Sequence, residues 1–134
     1  MIVDTSALIA VMEDEPQGAA IRRLLSDYGG RISAATLVEA RMVAFGKGGP
    51  AAVRELDGLI RRARLDVAAV DVESADVATG AFFAYGRGSG HPARLNFGDT
   101  FSYALAYIEN DPLLYVGDDF SHTDIRSALE EYGE

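Results

Sequence analysis

Met1-Ile2-Val3-Asp4-Thr5-Ser6-Ala7-Leu8 decides how the chain is read, because an apolar β-branched run ends at once in a carboxylate and two hydroxyls. Ile2 and Val3 suit a short strand buried on both faces of a parallel sheet, where no polar alternation is expected. In open parallel sheets the chemistry collects in the crevice outside the carboxyl ends of the strands. Asp4 falls at such an end. Its plainer role is to cap the helix suggested by Ala7-Leu8-Ile9-Ala10-Val11-Met12, its side chain accepting from free backbone amides.

The pattern that follows is one of alternation. Glu13-Asp14-Glu15-Pro16 breaks the chain and opens a helix with the stripe Ala20, Ile21, Leu24, Leu25 and Tyr28, which Gly29-Gly30 stops. Arg31 to Ala35 reads as a second short strand and Thr36 to Phe45 as a helix. Gly46-Lys47-Gly48-Gly49-Pro50 then turns into another helix through about Arg64, and these two helices are expected to form a hairpin. Leu65 to Asp71 leads into a third strand, and Glu73 to Tyr85 is helical. Gly86-Arg87-Gly88-Ser89-Gly90-His91-Pro92-Ala93-Arg94 is an irregular, flexible, basic loop. Asn96-Phe97-Gly98-Asp99 introduces a mostly buried helix to Ile108, Leu113 to Val116 is the last strand, and Thr123 to Tyr132 is a final helix with Ile125 and Leu129 inward. Strands alternating with helices along the whole chain predict an α/β fold, a three-layer α/β/α arrangement around a central parallel sheet.

The totals bound the rest. A chain of 134 residues, 49% hydrophobic, supports one core, so a single domain over residues 1–134 is expected. With no cysteine there is neither a disulfide framework nor a zinc-thiolate site, and two histidines argue against a histidine-rich one. A reducing cytoplasmic setting fits, with no charged leader before an apolar stretch and no run near the roughly 20 apolar residues of a membrane span. The net charge of −9 argues against a polyanionic partner until its distribution is considered. Eleven of the twelve basic residues lie between Arg22 and Arg94, whereas nine acids and only Arg126 follow Leu95. That arrangement permits a basic rim facing an acidic pocket.

Four acidic positions share one context: Asp4 after the first strand, Glu39 in a helix's first turn, Asp99 at the start of the next-to-last helix, and Asp118 or Asp119 after the last strand. Converging carboxylates repel unless protons or a hard cation compensate, and magnesium or manganese with oxygen ligands would do so. Metal-assisted phosphodiester hydrolysis is the natural chemistry of such a site. Each acid also has a local explanation. Thr36 and Glu39 have capping-box spacing, Asp99 can cap its helix, and Asp118 and Asp119 suit a turn.

Other motifs are weaker. Gly86 to Gly90 lacks the dinucleotide spacing and follows a helix, and Gly46-Lys47 lacks the Walker pattern. His91 and His122 have no partner at triad or ligand spacing, and Tyr103 and Tyr107 stand at helical spacing suited to packing. Arg87, His91 and Arg94 could guide phosphate toward an acidic pocket or simply solubilise their loop.

Four segments together resemble the PIN-domain ribonucleases: Ile2 to Leu8, Thr36-Leu37-Val38-Glu39-Ala40, Leu95-Asn96-Phe97-Gly98-Asp99-Thr100 through Ala106, and Leu114-Tyr115-Val116-Gly117-Asp118-Asp119-Phe120. Within that superfamily the short length and the Asn-Phe-Gly-Asp and Gly-Asp-Asp-Phe segments resemble the VapC toxins of bacterial toxin–antitoxin pairs. The resemblance implies a magnesium-dependent endoribonuclease, with manganese as the alternative ion. Its acidic cluster would be Asp4, Glu39 and Asp99 with a fourth acid, Asp118 in first place and Asp119 as the alternate. Asp4, Asp99 and Asp118 would hold metal, and Thr5, Ser6 or Thr100 would orient a water or a carboxylate. Arg87 and Arg94 are the candidate RNA contacts. The resemblance also implies an RNA substrate, a homodimer and a cognate VapB-type antitoxin that inserts near the site, with no membrane involved.

Competing readings fare worse. A receiver-type domain would need a lysine after its last strand, and the only lysine is Lys47. A haloacid dehalogenase-type phosphatase would need an aspartate at Ser6. The surviving alternative is a catalytically weak PIN-like module that binds a protein partner.

Overall fold

The computed structural model describes residues 1–133, and Glu134 lies outside the described residues. Ile2–Val3 forms β1 and is followed directly by α1, Thr5–Met12. Next come α2 (Gly18–Tyr28), β2 (Gly30–Ser33), α3 (Ala34–Arg62), β3 (Leu65–Ala68), α4 (Val72–Tyr85), α5 (Phe97–Glu109) and β4 (Leu113–Leu114). A single 3-10 turn, Phe120–His122, and the short α6, Ala128–Tyr132, complete the chain.

The four strands form one sheet in the order β3-β2-β1-β4, and every pairing is parallel. Ile2 lies opposite Leu113 and Val3 opposite Leu114. Because successive strand side chains point to opposite faces, each of these pairs serves a different layer. Val3 and Leu114 pack with Leu8, Ile21, Leu24 and Leu56 from α1, α2 and α3. Ile2 and Leu113 pack with Ala81, Tyr103 and Leu105 from α4 and α5. A two-residue strand thus feeds two cores, which is why β1 reads as wholly apolar. The sequence reading of a three-layer α/β/α fold around a parallel sheet describes what is observed.

Strand order also places the crevice. From β1 the chain winds outward to β2 and β3, then crosses to the other side of β1 with β4, so the order reverses between β1 and β4. Ligand crevices of open parallel sheets lie at such a reversal, beyond the carboxyl ends of the strands. Asp4, next after β1, sits there, and its N–H donates to the Leu114 carbonyl at 3.0 Å.

The two helices expected either side of the glycine-rich turn are both present, joined across non-helical Gly48 and Gly49, the latter at φ +66. Arg41 Nε donates to Asp57 Oδ1 at 3.0 Å. Residues 16 apart on one straight helix would be about 24 Å apart along its axis, so the two halves fold back on each other as a hairpin.

One expectation needs correction, and the loop before α5 gains definition. The tail helix does not run from Thr123: Ser127 bridges to Leu113, holding that stretch extended, and only Ala128–Tyr132 is helical. The loop from Gly86 to Arg94 is closed by hydrogen bonds: Arg87 N–H to Leu95 O (3.0 Å), Leu95 N–H to Tyr85 O (2.9 Å) and Ser89 Oγ to Gly86 O (2.6 Å). His91 accepts from Ala93 N–H through Nδ1 and packs edge-on to Tyr85. Among the described residues no helix is long and apolar enough to cross a membrane.

Candidate active site

Asp4 is both a helix cap and the floor of a pocket. Its Oδ2 accepts from Ser6 N–H (3.0 Å) and Ser6 Oγ (2.7 Å), which caps α1. Its Oδ1 accepts from Ser102 Oγ, 98 positions away on α5, at 2.6 Å. Ser6 Oγ in turn accepts from Val116 N–H at 3.0 Å, which ties the end of β4 to the same carboxylate. Ser102 Oγ also lies 3.1 Å from Thr36 Oγ1 of α3. Asp4 is only 3% exposed, so these bonds replace most of its water.

Glu39 reaches the same place from α3. The helix begins two residues earlier than its sequence suggests, with Ser33 as the N-cap, so Thr36 lies inside it. The capping-box explanation of Glu39 therefore fails: its Oε1 accepts from Thr5 Oγ1 of α1 at 2.6 Å. The other side of its carboxylate rests on the first turn of α5, in space that a Cβ on Gly98 would occupy.

Asp99 completes the group, and here both explanations hold. Asn96 Oδ1 accepts from Asp99 N–H (2.9 Å) while Asp99 Oδ2 accepts from Asn96 N–H (3.0 Å), a reciprocal capping box. The box fixes the carboxyl of Asp99 over the pocket. Asp4, Thr5, Ser6, Glu39 and Asp99 together line a concavity of about 330 Å³ with Val43 and Val116. Glu15, read from sequence as one of several acids at a helix start, lines it too.

The electrostatics are those of crowded like charges. Burial raises the Asp99 carboxyl from 3.8 to about 7, opposed by the hydrogen bond with Asn96 and reinforced by the charges of Asp4, Asp119 and Glu39. Glu39 is also raised, first by burial and then by the charge of Asp4, against the bond from Thr5. A cation would relieve this repulsion, and an all-oxygen donor set suits magnesium or manganese. Among the described residues no three acidic or histidine side chains close around one point at ligating distance. An ion here would take one or two carboxylates and fill its shell with water, the habit of magnesium.

The remaining candidates are placed less centrally. Asp119, not Asp118, is the acid of the last turn whose charge acts on Asp99. The Asp118 carbonyl closes that turn by accepting from Ser121 Oγ and N–H. Thr100 donates to the Phe97 carbonyl at 2.6 Å and lines a separate groove with Phe82 and Phe101. Arg87 and Arg94 are exposed in the loop before α5 and do not line the pocket. Tyr103 packs, as its spacing suggests, and donates to Asp124 Oδ1.

Ser102 escaped the sequence reading as a site residue, and Thr36 entered it only as a capping partner of Glu39. A signal for both existed: each lies three residues from an acid on its own helix, Thr36 before Glu39 and Ser102 after Asp99, on the face that acid occupies.

The family model described as PIN domain matches residues 1–126. The chain is 46% identical over 129 residues to ribonuclease VapC42 of Mycobacterium tuberculosis, covering 96% of this chain and 98% of the relative. It is likewise 46% identical over 131 residues to ribonuclease VapC28 of the same organism, covering 97% and 98%. The crystal structure of Mycobacterium tuberculosis VapC20, a toxin that cleaves the sarcin-ricin loop, superposes with a TM-score of 0.72 over 92% of this chain and 95% of that one. Its identity is 18%, and it speaks for the fold alone.

Proposed function

The chain belongs to the PIN domain family, and on that footing we propose that it is a divalent-metal-dependent endoribonuclease, the toxin of a toxin–antitoxin pair. The observation that carries the reading is the meeting of Asp4, Glu39 and Asp99 in one pocket at the point where strand order reverses. The curated relatives that are named ribonucleases align along nearly their whole length.

In the proposed reaction Asp4 and Asp99 would hold magnesium or manganese, and the charge of Asp119 or Asp118 from the last turn would favour its binding. When bound, the ion supplies a water of lowered pKa and stabilises charge on the phosphate and the leaving oxygen. Asp4 cannot swing, because Ser6 and Ser102 hold both its oxygens. Asp99 is fixed by its capping box. Glu39, whose carboxyl burial raises above its ordinary value, is placed to take a proton from the attacking water, and Thr5 aims it. Ser102 and Thr36 act through Asp4 and touch no substrate.

The proposal extends to partners and setting: an RNA substrate, a VapB-type antitoxin, a homodimer, a single domain over residues 1–134 and a cytoplasmic location. Exposed apolar side chains support protein partners, Val38, Met42 and Phe45 on α3 and Phe83 and Phe97 on α4 and α5. A role confined to protein binding accounts for Asp4 and Asp99 as helix caps but not for Glu39, which caps nothing and still meets them in the pocket.

The test is cleavage of RNA by the purified protein with chelator, then with magnesium, manganese or calcium added back. Activity lost to chelator and restored by magnesium or manganese but not calcium is the expected result, since calcium's looser geometry suits ordered hydrolysis poorly. Asp4→Asn and Asp99→Asn should each abolish it. Full turnover by both variants, on RNA that the unmodified protein cuts, would overturn the assignment.

A further inference from the structure

Gly98 stands in the first turn of α5, between Phe97 and Asp99, with no left-handed backbone angle to require a glycine. Helix propensity alone would favour alanine there. What alanine would meet is specific: a Cβ built on Gly98 falls onto the carboxylate of Glu39, overlapping Oε2 and Cδ and crowding Oε1. No other group within 4 Å is among its three nearest neighbours. We infer that Gly98 is a positioning residue, its missing side chain being the seat that lets the Glu39 carboxylate lie against the start of α5 beside Asp99.

The Glu39 side chain has a flexible stem, so the question is what it forfeits by moving. Thr5 Oγ1 holds Oε1 at 2.6 Å from the side of α1, and Gly98 receives the opposite edge. A carboxylate driven off Gly98 therefore gives up the Thr5 bond or its place over the pocket. Gly98 is the neighbour of Asp99, whose carboxyl already feels the charge of Glu39. Displacing Glu39 changes the charge around Asp99 as well as removing a proton acceptor. The inference deepens the nuclease reading and rests on it only for its bearing on turnover.

The test is a double-mutant cycle between Gly98→Ala and two changes at Glu39, read by manganese affinity from the free-ion electron paramagnetic resonance signal, by metal-free melting and by RNA cleavage. Gly98→Ala alone should lower cleavage about 10–100-fold, the range for residues that orient a metal site from outside it. Glu39→Asp, shorter by one carbon–carbon bond of about 1.5 Å, should lower cleavage in the unmodified protein yet raise it in the Gly98→Ala background. A residue that merely supports the helix cannot produce that reversal of sign. In the Glu39→Ala background, Gly98→Ala should leave manganese affinity unchanged and raise the metal-free melting temperature, as expected of alanine in a helix. Equal effects of Gly98→Ala with Glu39 present and absent would overturn the inference. If the unmodified protein cuts no RNA, the nuclease reading fails by itself, and the melting arm of the cycle still decides the contact.

Discussion

Ser102 Oγ donates to Asp4 Oδ1 at 2.6 Å, and this one bond joins the start of the sheet to the middle of α5. Ser102 is fully buried and Asp4 nearly so. Ser102→Ala therefore removes the donor without admitting water in its place. Loss of a buried partner costs about 1–3 kcal/mol, and loosening a site from outside it costs about 10–100-fold in activity. Cleavage by Ser102→Ala should fall within that range, with melting lowered. Thr36→Val should have a smaller effect, because Thr36 reaches Asp4 only through Ser102. Greater damage from Thr36→Val than from Ser102→Ala would reverse the proposed chain of influence.

Asp99 sets a pH dependence of known sign. Its carboxyl titrates near 7 in the fold against 3.8 in the absence of burial, so the folded protein binds more protons than the unfolded between those values. Stability is therefore greatest, as far as this group contributes, below about pH 3.8, falls as pH rises to about 7 and is level above. Asp99→Asn keeps an oxygen to accept from Asn96 but cannot ionise. Without metal at pH 8 it should be more stable than the unmodified protein by on the order of 1 kcal/mol, or about 3–6 °C in Tm. Near pH 4 the difference should vanish. Magnesium at a hundredfold excess over its Kd should add roughly 2.7 kcal/mol to the unmodified protein and less to the variant. Melts with chelator and with magnesium check both; a less stable metal-free variant with an equal magnesium shift would make Asp99 structural.

The last turn separates two adjacent acids. Both are exposed, but Asp119 acts on Asp99 through its charge, whereas the Asp118 carbonyl closes the turn. Asp119→Asn should cost about tenfold or more in cleavage, in line with loss of a group that tunes a metal site. Asp118→Asn should cost less than about twofold, as surface changes away from special features do. The reverse order would return the fourth position to Asp118.

Arg87 and Arg94 are exposed on the loop before α5. If they meet phosphate, replacing both by alanine weakens RNA binding and flattens the slope of log affinity against log salt by roughly 0.7 per contact on single strands. Binding to a fluorescein-labelled RNA in chelator, where no cleavage occurs, measures this. An unchanged slope would mean that the loop carries charge for solubility only.

The sequence was most legible where one residue decides one feature. Ile2 and Val3 must be buried on both faces, so strand β1, the parallel sheet and the place of Asp4 follow from three residues. Glu39 and Asp99 were visible as acids at helix starts, but the local pattern could not say whether they cap or converge. Glu39 does not cap because Ser33 starts α3 earlier, and Asp99 does both. The roles of Ser102 and Thr36 were hidden because Ser102 meets Asp4 across 98 positions of chain and Thr36 meets Ser102 across 66, separations that only the packed layers close. The tail misled for a related reason: Ser127 pairs with Leu113 at the sheet edge, and that tertiary bridge overrides helical spacing.

Ser6 donates to Asp4 while accepting from Val116 N–H, and Asp4 N–H is itself held by the Leu114 carbonyl. Carboxylate geometry and the last rungs of the sheet are thus the same hydrogen bonds. Amide protons opened only by loss of the sheet exchange at the rate of global unfolding. The amides of Asp4 and Val116 should therefore be among the slowest to take up deuterium, slower than those of the loop before α5. Exchange at that rate would leave the proposed site without breathing motion of its own to admit a substrate, and the bending needed for cleavage would fall to the RNA.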